Sequence, residues 1–480
     1  MLALGGGVPG PLPDTGHGFT LPQVSGARES YERLRAAHLH EVRAALDDYV
    51  QRLDWPRERL ECHRAERLRG LLAYARERSP FHAARMADVD PETATIADLA
   101  RLPPMTKDEA QAQWDAIVTV PHLDRAGTER ILAEQPWFSY TPTGEQVFSS
   151  GGSSGVRGVY VWDWQLFVSL ACLAWRTQAR ARRGPERDGA RLAVLSAAEP
   201  PHASTPLFDV PIAADTSTVV IAAGNPFDEV VAAVARARPT EIVGYASVVG
   251  RLARATLEGE LEINPSRVST NSEPLSEEDR DAIAAAWDAP IHNLWGSTEI
   301  GVQAVGCGQG EGLHVCEDEV VLERVDRAGN PVGRDEPAAR TLATGLGNRT
   351  FPFIRYDLGD DVTLLRGDCP CGSPLVRVAD IAGRRDDDFD YDGHTVPASA
   401  FRYVLGTDPR ISEYQVLQTR GGAEVLVVGS PDERAVTVAL EAAMRKHSLA
   451  RPEIHVRAVD RIERHAATGK LRRFVPLRGT

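Results

Sequence analysis

Between residues 159 and 300 short apolar, β-rich runs alternate with helical stretches, and this alternation constrains the fold more than any other feature of the chain. A helix is expected over 164–183, ended by Gly184-Pro185, and a strand over 192–195. Strand 218–222, helix 227–238 stopped by Pro239, strand 241–245 and helix 248–257 continue the series. Segment 268–270 reads as a strand, Ser276 with Glu277, Glu278 and Asp279 behind it as a helix N-cap, and 291–295 as the closing strand. Repeated β-α-β order places helices on both faces of a largely parallel sheet. The expected fold class is therefore α/β: a large N-terminal domain with a mainly parallel sheet and flanking helices, plus a small α+β C-terminal domain joined by a hinge. Sheets of this kind bind ligands at the carboxyl ends of their strands, which singles out the loops Ser272-Glu273-Pro274 and Trp295-Gly296-Ser297-Thr298-Glu299.

A chain of 480 residues exceeds what one hydrophobic core supports. Residues 1–28, rich in Gly and Pro, read as a loose arm. Leu34, Leu39, Val42, Leu46, Val50 and Leu53 then recur at helical spacing and open a helical lead-in to a large domain spanning 29–382. The charged joint Gly383-Arg384-Arg385-Asp386-Asp387-Asp388 introduces a small mobile domain over 383–480. With 54 basic and 68 acidic side chains the formal charge is -14, which excludes unspecific attraction to nucleic-acid phosphates. The N-terminus lacks the order of a secretory signal and no apolar run reaches membrane-spanning length, so a cytoplasmic protein without a membrane partner is expected, as monomer or homodimer. Six cysteines are too few for a disulfide scaffold. Cys62 and Cys172, alone in helical stretches, read as small buried apolar residues.

Three segments carry chemistry. In Ser149-Ser150-Gly151-Gly152-Ser153-Ser154-Gly155-Val156-Arg157-Gly158 the glycines expose backbone N–H groups, the hydroxyls add donors and Arg157 adds positive charge, which suits a polyphosphate. A plain Ser/Gly linker has the same composition, and the spacing excludes a Walker A loop. In Trp295–Glu299 an aromatic plane can stack on adenine, Gly296 lets the backbone approach a nucleotide, Thr298 can donate to a phosphate and Glu299 can hold Mg2+. In Phe353-Ile354-Arg355-Tyr356-Asp357-Leu358-Gly359-Asp360 the last acid can accept from ribose hydroxyls; an ordinary strand end and an ordinary turn acid account for the last two segments equally well when each is taken alone.

In this order the three segments resemble the acyl-adenylating superfamily of coenzyme A ligases, luciferases and peptide-synthetase adenylation domains. Leu102-Pro103-Pro104-Met105-Thr106-Lys107-Asp108, Ser272-Glu273-Pro274-Leu275 and Arg366-Gly367-Asp368-Cys369-Pro370-Cys371-Gly372 narrow the resemblance to its phenylacetate–coenzyme A ligase branch, from about residue 65 to the C-terminus. The resemblance implies ATP-dependent activation of a carboxylic acid, an aryl acid by analogy, as acyl-AMP, then transfer to the thiol of coenzyme A. Transfer to a carrier-protein thiol or an amine, and a non-catalytic nucleotide-binding descendant, stay open as alternatives. It implies that Ser150, Gly151, Gly152, Ser153, Ser154, Gly155 and Arg157 grip the ATP phosphates and that Glu299 binds Mg2+. It further implies that Ser272, Glu273, Pro274 and Trp295, with Gly296 and Ser297, border the nucleotide, that Asp360 and Arg384 hold the ribose and its neighbourhood, and that Asp386 is the hinge. Thr468-Gly469-Lys470-Leu471-Arg472-Arg473 is similar to the family's terminal lysine motif and makes Lys470 catalytic, with Thr298 and Glu299. Tyr245 and Ala246 are expected at the acid pocket. One structural Zn2+ is expected on Cys307, His314, Cys369 and Cys371, with Cys316 an alternative ligand. Two departures stand out: Val156-Arg157-Gly158 replaces the commoner Lys-Pro, and Tyr356-Asp357-Leu358-Gly359-Asp360 replaces Tyr-Arg-Thr-Gly-Asp.

Overall fold

The computed structural model describes residues 24–134, 140–150, 158–182, 189–197, 202–211, 216–360, 362–381, 387–391, 393–406, 408, 410–447, 449–465 and 469–477. Its centre is an eight-stranded sheet in the order β13-β9-β8-β7-β6-β5-β3-β4. The strands are β3 (Arg191–Ser196), β4 (Ser217–Ala222), β5 (Glu241–Tyr245), β6 (Arg267–Asn271), β7 (Ile291–Ser297), β8 (Gly301–Val305), β9 (Leu313–Val315) and β13 (Arg377–Val378). From β4 to β7 every pairing is parallel, and from β7 to β13 every pairing is antiparallel. The change of direction falls on β7, the strand whose C-terminal end carries Trp295-Gly296-Ser297.

Alternation within the strands sorts the two faces. Leu192 and Val194 of β3 join a core built on the helix Trp164–Ala181 and the lead-in helix Val24–Arg52, whereas Ala193 and Leu195 join a second core under the helices Phe227–Ala237, Ala246–Leu257 and Glu277–Trp287. Each expected element of this region is present within about three residues. Ser276 caps its helix by accepting from Asp279 N. The helical lead-in begins at Val24, five residues before the expected boundary, because nothing in Ser25-Gly26-Ala27-Arg28 stops a helix from starting earlier; residues 1–23 lie outside the described residues. Cys172 is buried as expected, but Cys62 is exposed, because it falls on the outer face of the helix Arg57–Arg78.

Smaller units flank this body: the hairpin β1 (Gln146–Ser150) with β2 (Gly158–Trp162), and the three-stranded sheet β10 (Val320–Val325), β11 (Arg340–Gly345), β12 (Tyr356–Asp357). A C-terminal unit has its own core. It contains a short ribbon, β14 (Phe389–Tyr391) with β15 (His394–Val396), and the sheet β18-β17-β16-β19, formed by β16 (Ile411–Gln418), β17 (Gly422–Gly429), β18 (Glu453–Ala458) and β19 (Phe474–Val475). The helices Ala398–Gly406 and Glu433–Lys446 pack with it. No helix among the described residues is long and apolar enough to cross a membrane.

Candidate active site

A cleft of about 640 Å3 opens at the carboxyl ends of β6 and β7, between the large body and the C-terminal unit. Its lining gathers Lys107, Ser149 and Ser150, the loop Ser272-Glu273-Pro274, the run Trp295–Glu299, Tyr356 to Asp360, and, from the other side, His465 and Lys470 to Phe474. Six separated sequence segments thus meet in one cavity.

Each side chain has a local reason for its place. Glu299 is buried, and the hydroxyls of Tyr160 on β2 and Tyr356 on β12 both donate to its Oε1, at 2.6 and 3.1 Å. Trp295 is buried in β7, and its indole N–H donates to Asp360 Oδ2 at 2.8 Å. The ring expected to face adenine therefore also orients the acid expected to face ribose. Trp162 Nε1 donates to the carbonyl of Thr298 at 3.0 Å, and Ser297 Oγ accepts from Ile300 N and Gln303 Nε2, so the loop after β7 is fixed from both sides. Ser272 takes φ 63°, a strained conformation for a residue with a Cβ, directly at the cleft. A bulge between Trp295 and Gly296 brings the backbone of β8 close: a Cβ on Gly296 would lie 2.8 Å from the Gly301 carbonyl, and one on Gly301, at φ 90°, would lie 2.1 Å from Leu170. Leu358, where the family pattern has threonine, is buried with Phe353 and Tyr356; Asp357 lines the cleft and accepts from Gly359 N.

Lys470 lies in the cleft with its Nζ 5.3 Å from the centroid of the Tyr245 ring. Tyr245 itself is fully buried, takes the Ala197 N–H on its hydroxyl, and is pushed up to about 12 by burial. Neither Tyr245 nor Ala246, expected at the acid pocket, is among the residues that line the cleft, although the Tyr245 ring meets Lys470 at its edge. The cleft's apolar lining comes from Trp162, Leu207, Phe208, Leu294 and Val302, on four elements with no common spacing. Glu273 borders the cleft, but its carboxylate accepts from the backbone N–H groups of Ser247 and Leu471. The expected phosphate-loop residues Gly151, Gly152, Ser153, Ser154, Gly155 and Arg157, with Arg384, Asp386 and Thr468, lie outside the described residues.

A second cluster joins Cys307, after β8, His314 on β9, and Cys369 and Cys371, before β13; one ligand atom from each falls within 4.8 Å of all the others. Cys307 Sγ is 3.6 Å from Cys369 Sγ, and Cys371 Sγ is 3.4 Å from His314 Nε2. A tetrahedral ion with bonds of about 2.3 Å to sulfur and about 2.0 Å to nitrogen sets its ligands about 3.5–3.8 Å apart, so the donor set and spacing fit zinc. The hydrogen bond from Cys371 pulls the Cys307 thiol well below the usual thiol range, and the same contact pushes Cys371 up. Gly310 lets the loop wrap closely, since a Cβ there would lie 2.8 Å from Cys369 Sγ. Cys316, the alternative ligand, is outside the group: it is buried in the core under the helix Trp164–Ala181, where burial pushes its thiol up to about 12.

No family model matches the chain. A phenylacetate–coenzyme A ligase of Thermus thermophilus is 26% identical over 383 residues, which cover 76% of this chain and 80% of that protein. Protein CapK of Staphylococcus aureus is 28% identical over 154 residues, 31% of this chain and 32% of its own. Among solved structures, 2-hydroxyisobutyryl-CoA ligase in its postadenylation state with R3-HIB-AMP superposes with a TM-score of 0.67 at 18% identity, covering 88% of this chain and 91% of that one. The same ligase in the thioesterification state, with 2-HIB-AMP and CoA, gives 0.56 at 19% identity. The fold is shared.

Proposed function

We propose that this chain is an acyl-adenylating enzyme of the phenylacetate–coenzyme A ligase-like branch, and that it activates a carboxylic acid with ATP and passes the acyl group to the thiol of coenzyme A. The observation that carries this reading is the convergence of Ser150, Trp295 to Glu299, Asp360 and Lys470 on one cleft between two structural units. In the first step a carboxylate oxygen attacks the α-phosphorus, the acyl–phosphate bond forms, and pyrophosphate departs with the electrons of the broken P–O bond. The nucleophile is already ionised, so the protein's task is to position it and to stabilise charge on the phosphate oxygens.

Lys470 supplies a mobile positive charge for that step, Thr298 a hydroxyl for the phosphate, and Ser149 and Ser150 the root of the phosphate loop. Asp360, oriented by Trp295, takes the ribose hydroxyls, and Ser272, Pro274 and Trp295 border the adenine. Glu299 would hold Mg2+, since the tyrosine hydroxyls occupy one carboxylate oxygen and leave the other outside both bonds; the ion would neutralise phosphate charge. In the second step the thiol attacks the acyl carbonyl and AMP leaves, after the unit beyond residue 383 turns about Asp386. Cys307, His314, Cys369 and Cys371 would hold Zn2+ in a structural role, since they supply four protein ligands. The apolar residues Trp162, Leu207, Phe208, Leu294 and Val302 in the lining support an aryl acid. A cytoplasmic location agrees with thiols kept reduced for metal binding.

The test is pyrophosphate release, followed by thioester formation with coenzyme A, across a panel of aryl and short-chain acids with ATP and Mg2+. Release with at least one acid is expected. A folded, zinc-loaded protein that releases pyrophosphate with none of them would instead be a non-catalytic nucleotide binder.

A further inference from the structure

Glu273 stands in the loop after β6, half-buried, with its carboxylate divided between two backbone N–H groups. Oε2 accepts from Ser247 N at 3.0 Å, in the first turn of the helix Ala246–Leu257. Oε1 accepts from Leu471 N at 2.7 Å, next to Lys470 and 198 residues away in the chain. A helix N-terminus favours an anion, so the large body fixes Glu273 and presents its other oxygen in advance to the C-terminal segment.

Three more contacts bind the same segment to the same patch. Arg464 Nη1 donates to Ser247 Oγ at 2.8 Å. Arg473 Nη2 donates to Asp279 Oδ2 at 3.0 Å, and Asp279 is buried on the helix Glu277–Trp287. Gly469 lies so close to the end of β4 that a Cβ on it would be 2.4 Å from Gly224 N. Lys470 sits between these contacts, and none of them involves its own ammonium group.

We propose that Glu273 is a positioning residue that clasps the lysine loop, holding Lys470 in the cleft for adenylation and releasing it for thiol transfer. The proposal rests on the ligase reading above. Both half-reactions use one chain in two arrangements, so a clasp made only in the first biases the equilibrium between them. A bond from an N–H to a carboxylate is stronger than one between neutral groups, and losing it is expected to shift the balance by roughly tenfold.

The experiment compares wild type, Glu273→Gln and Ser247→Ala by three readings. Glu273→Gln leaves one carbonyl oxygen for two N–H groups; Ser247→Ala removes the acceptor of Arg464 and keeps the backbone. Pyrophosphate release is expected to fall roughly tenfold in the first and less in the second. Thioester formation from a supplied synthetic acyl-adenylate and coenzyme A is expected to stay equal or to rise. Hydrogen exchange over residues 464–474 in the protein alone is expected to accelerate by a similar factor, with an unchanged melting temperature. Equal losses in both half-reactions, or unchanged exchange in Glu273→Gln, would overturn the clasp. If wild type releases no pyrophosphate with any acid, exchange decides alone: faster exchange upholds the clasp while the ligase reading fails.

Discussion

Two tyrosines from different sheets aim their hydroxyls at the same oxygen of Glu299, and that fixes the carboxylate more firmly than its loop position would. Glu299→Gln keeps the size and one accepting oxygen but removes the charge. Pyrophosphate release at saturating ATP and Mg2+ is expected to fall by on the order of 10²–10³, the loss that follows when one preorganised electrostatic group is removed. The circular dichroism spectrum should stay that of the wild type. Wild-type turnover would place the metal on other residues. At this scale the sequence is readable where chemistry is concentrated in a run, as in Trp295–Glu299. It is opaque where a partner is backbone: nothing in Ser272-Glu273-Pro274 announces that its acid bonds to N–H groups 26 and 198 positions away. The acid pocket is opaque for a related reason: its walls come from scattered positions, and Tyr245, expected there, is a fully buried ring.

The strands and helices from 164 to 297 follow their periodicity closely, because each is long, regular and buried on a defined face. The sheet β10-β11-β12 was not foreseen. Its last strand is two residues long and pairs back to β11 across a loop, which leaves no local pattern to read. With a metal bound, the Cys/His cluster would be an element-scale staple, tying the β8–β9 connection to the approach to β13. Purified protein is expected to contain about one zinc per chain, and a Cys369→Ser, Cys371→Ser double variant to lose the metal and melt at a lower temperature. Unchanged metal content would exclude the site. Helix Val24–Arg52 contains a second test. His38 is buried against Trp164, with ring centroids 3.9 Å apart, and Nε2 bonds to the Trp164 carbonyl; burial lowers its pKa to about 4. Between pH 6.5 and 4 the unfolded chain binds this proton and the folded one does not, so stability is complete above about 6.5 and lost as pH falls through that window. The loss is at most about 3 kcal/mol. His38→Gln is expected to flatten this part of a urea-midpoint against pH curve; an unchanged slope would assign the acid sensitivity to other groups.

For the whole molecule the decisive quantity is how its two units are set against each other. Lys470 reaches the cleft only because the C-terminal unit is docked, and under the proposed function a turn of that unit would carry the ammonium away from the reacting carbonyl. Lys470→Ala is therefore expected to lose adenylation by roughly 10²–10³ and to keep thioester formation from a supplied acyl-adenylate. Equal losses in a folded protein would assign Lys470 to both steps. The cleft it enters has walls of two kinds. At Gly296 and Gly301, beside Leu294 and Val302 on the same strands, the wall is backbone that admits no added side chain without displacing Gly301's own carbonyl or Leu170. Opposite stands the short helix Ser204–Phe208, which offers Leu207 and Phe208 to the cavity. Diversification of the acid, whether by selection or by redesign, thus falls most readily on that one turn of helix, because Trp162, Leu294 and Val302 sit on strands: bulk can be exchanged at Leu207 and Phe208 without touching those strands, while the glycine wall stays closed to variation.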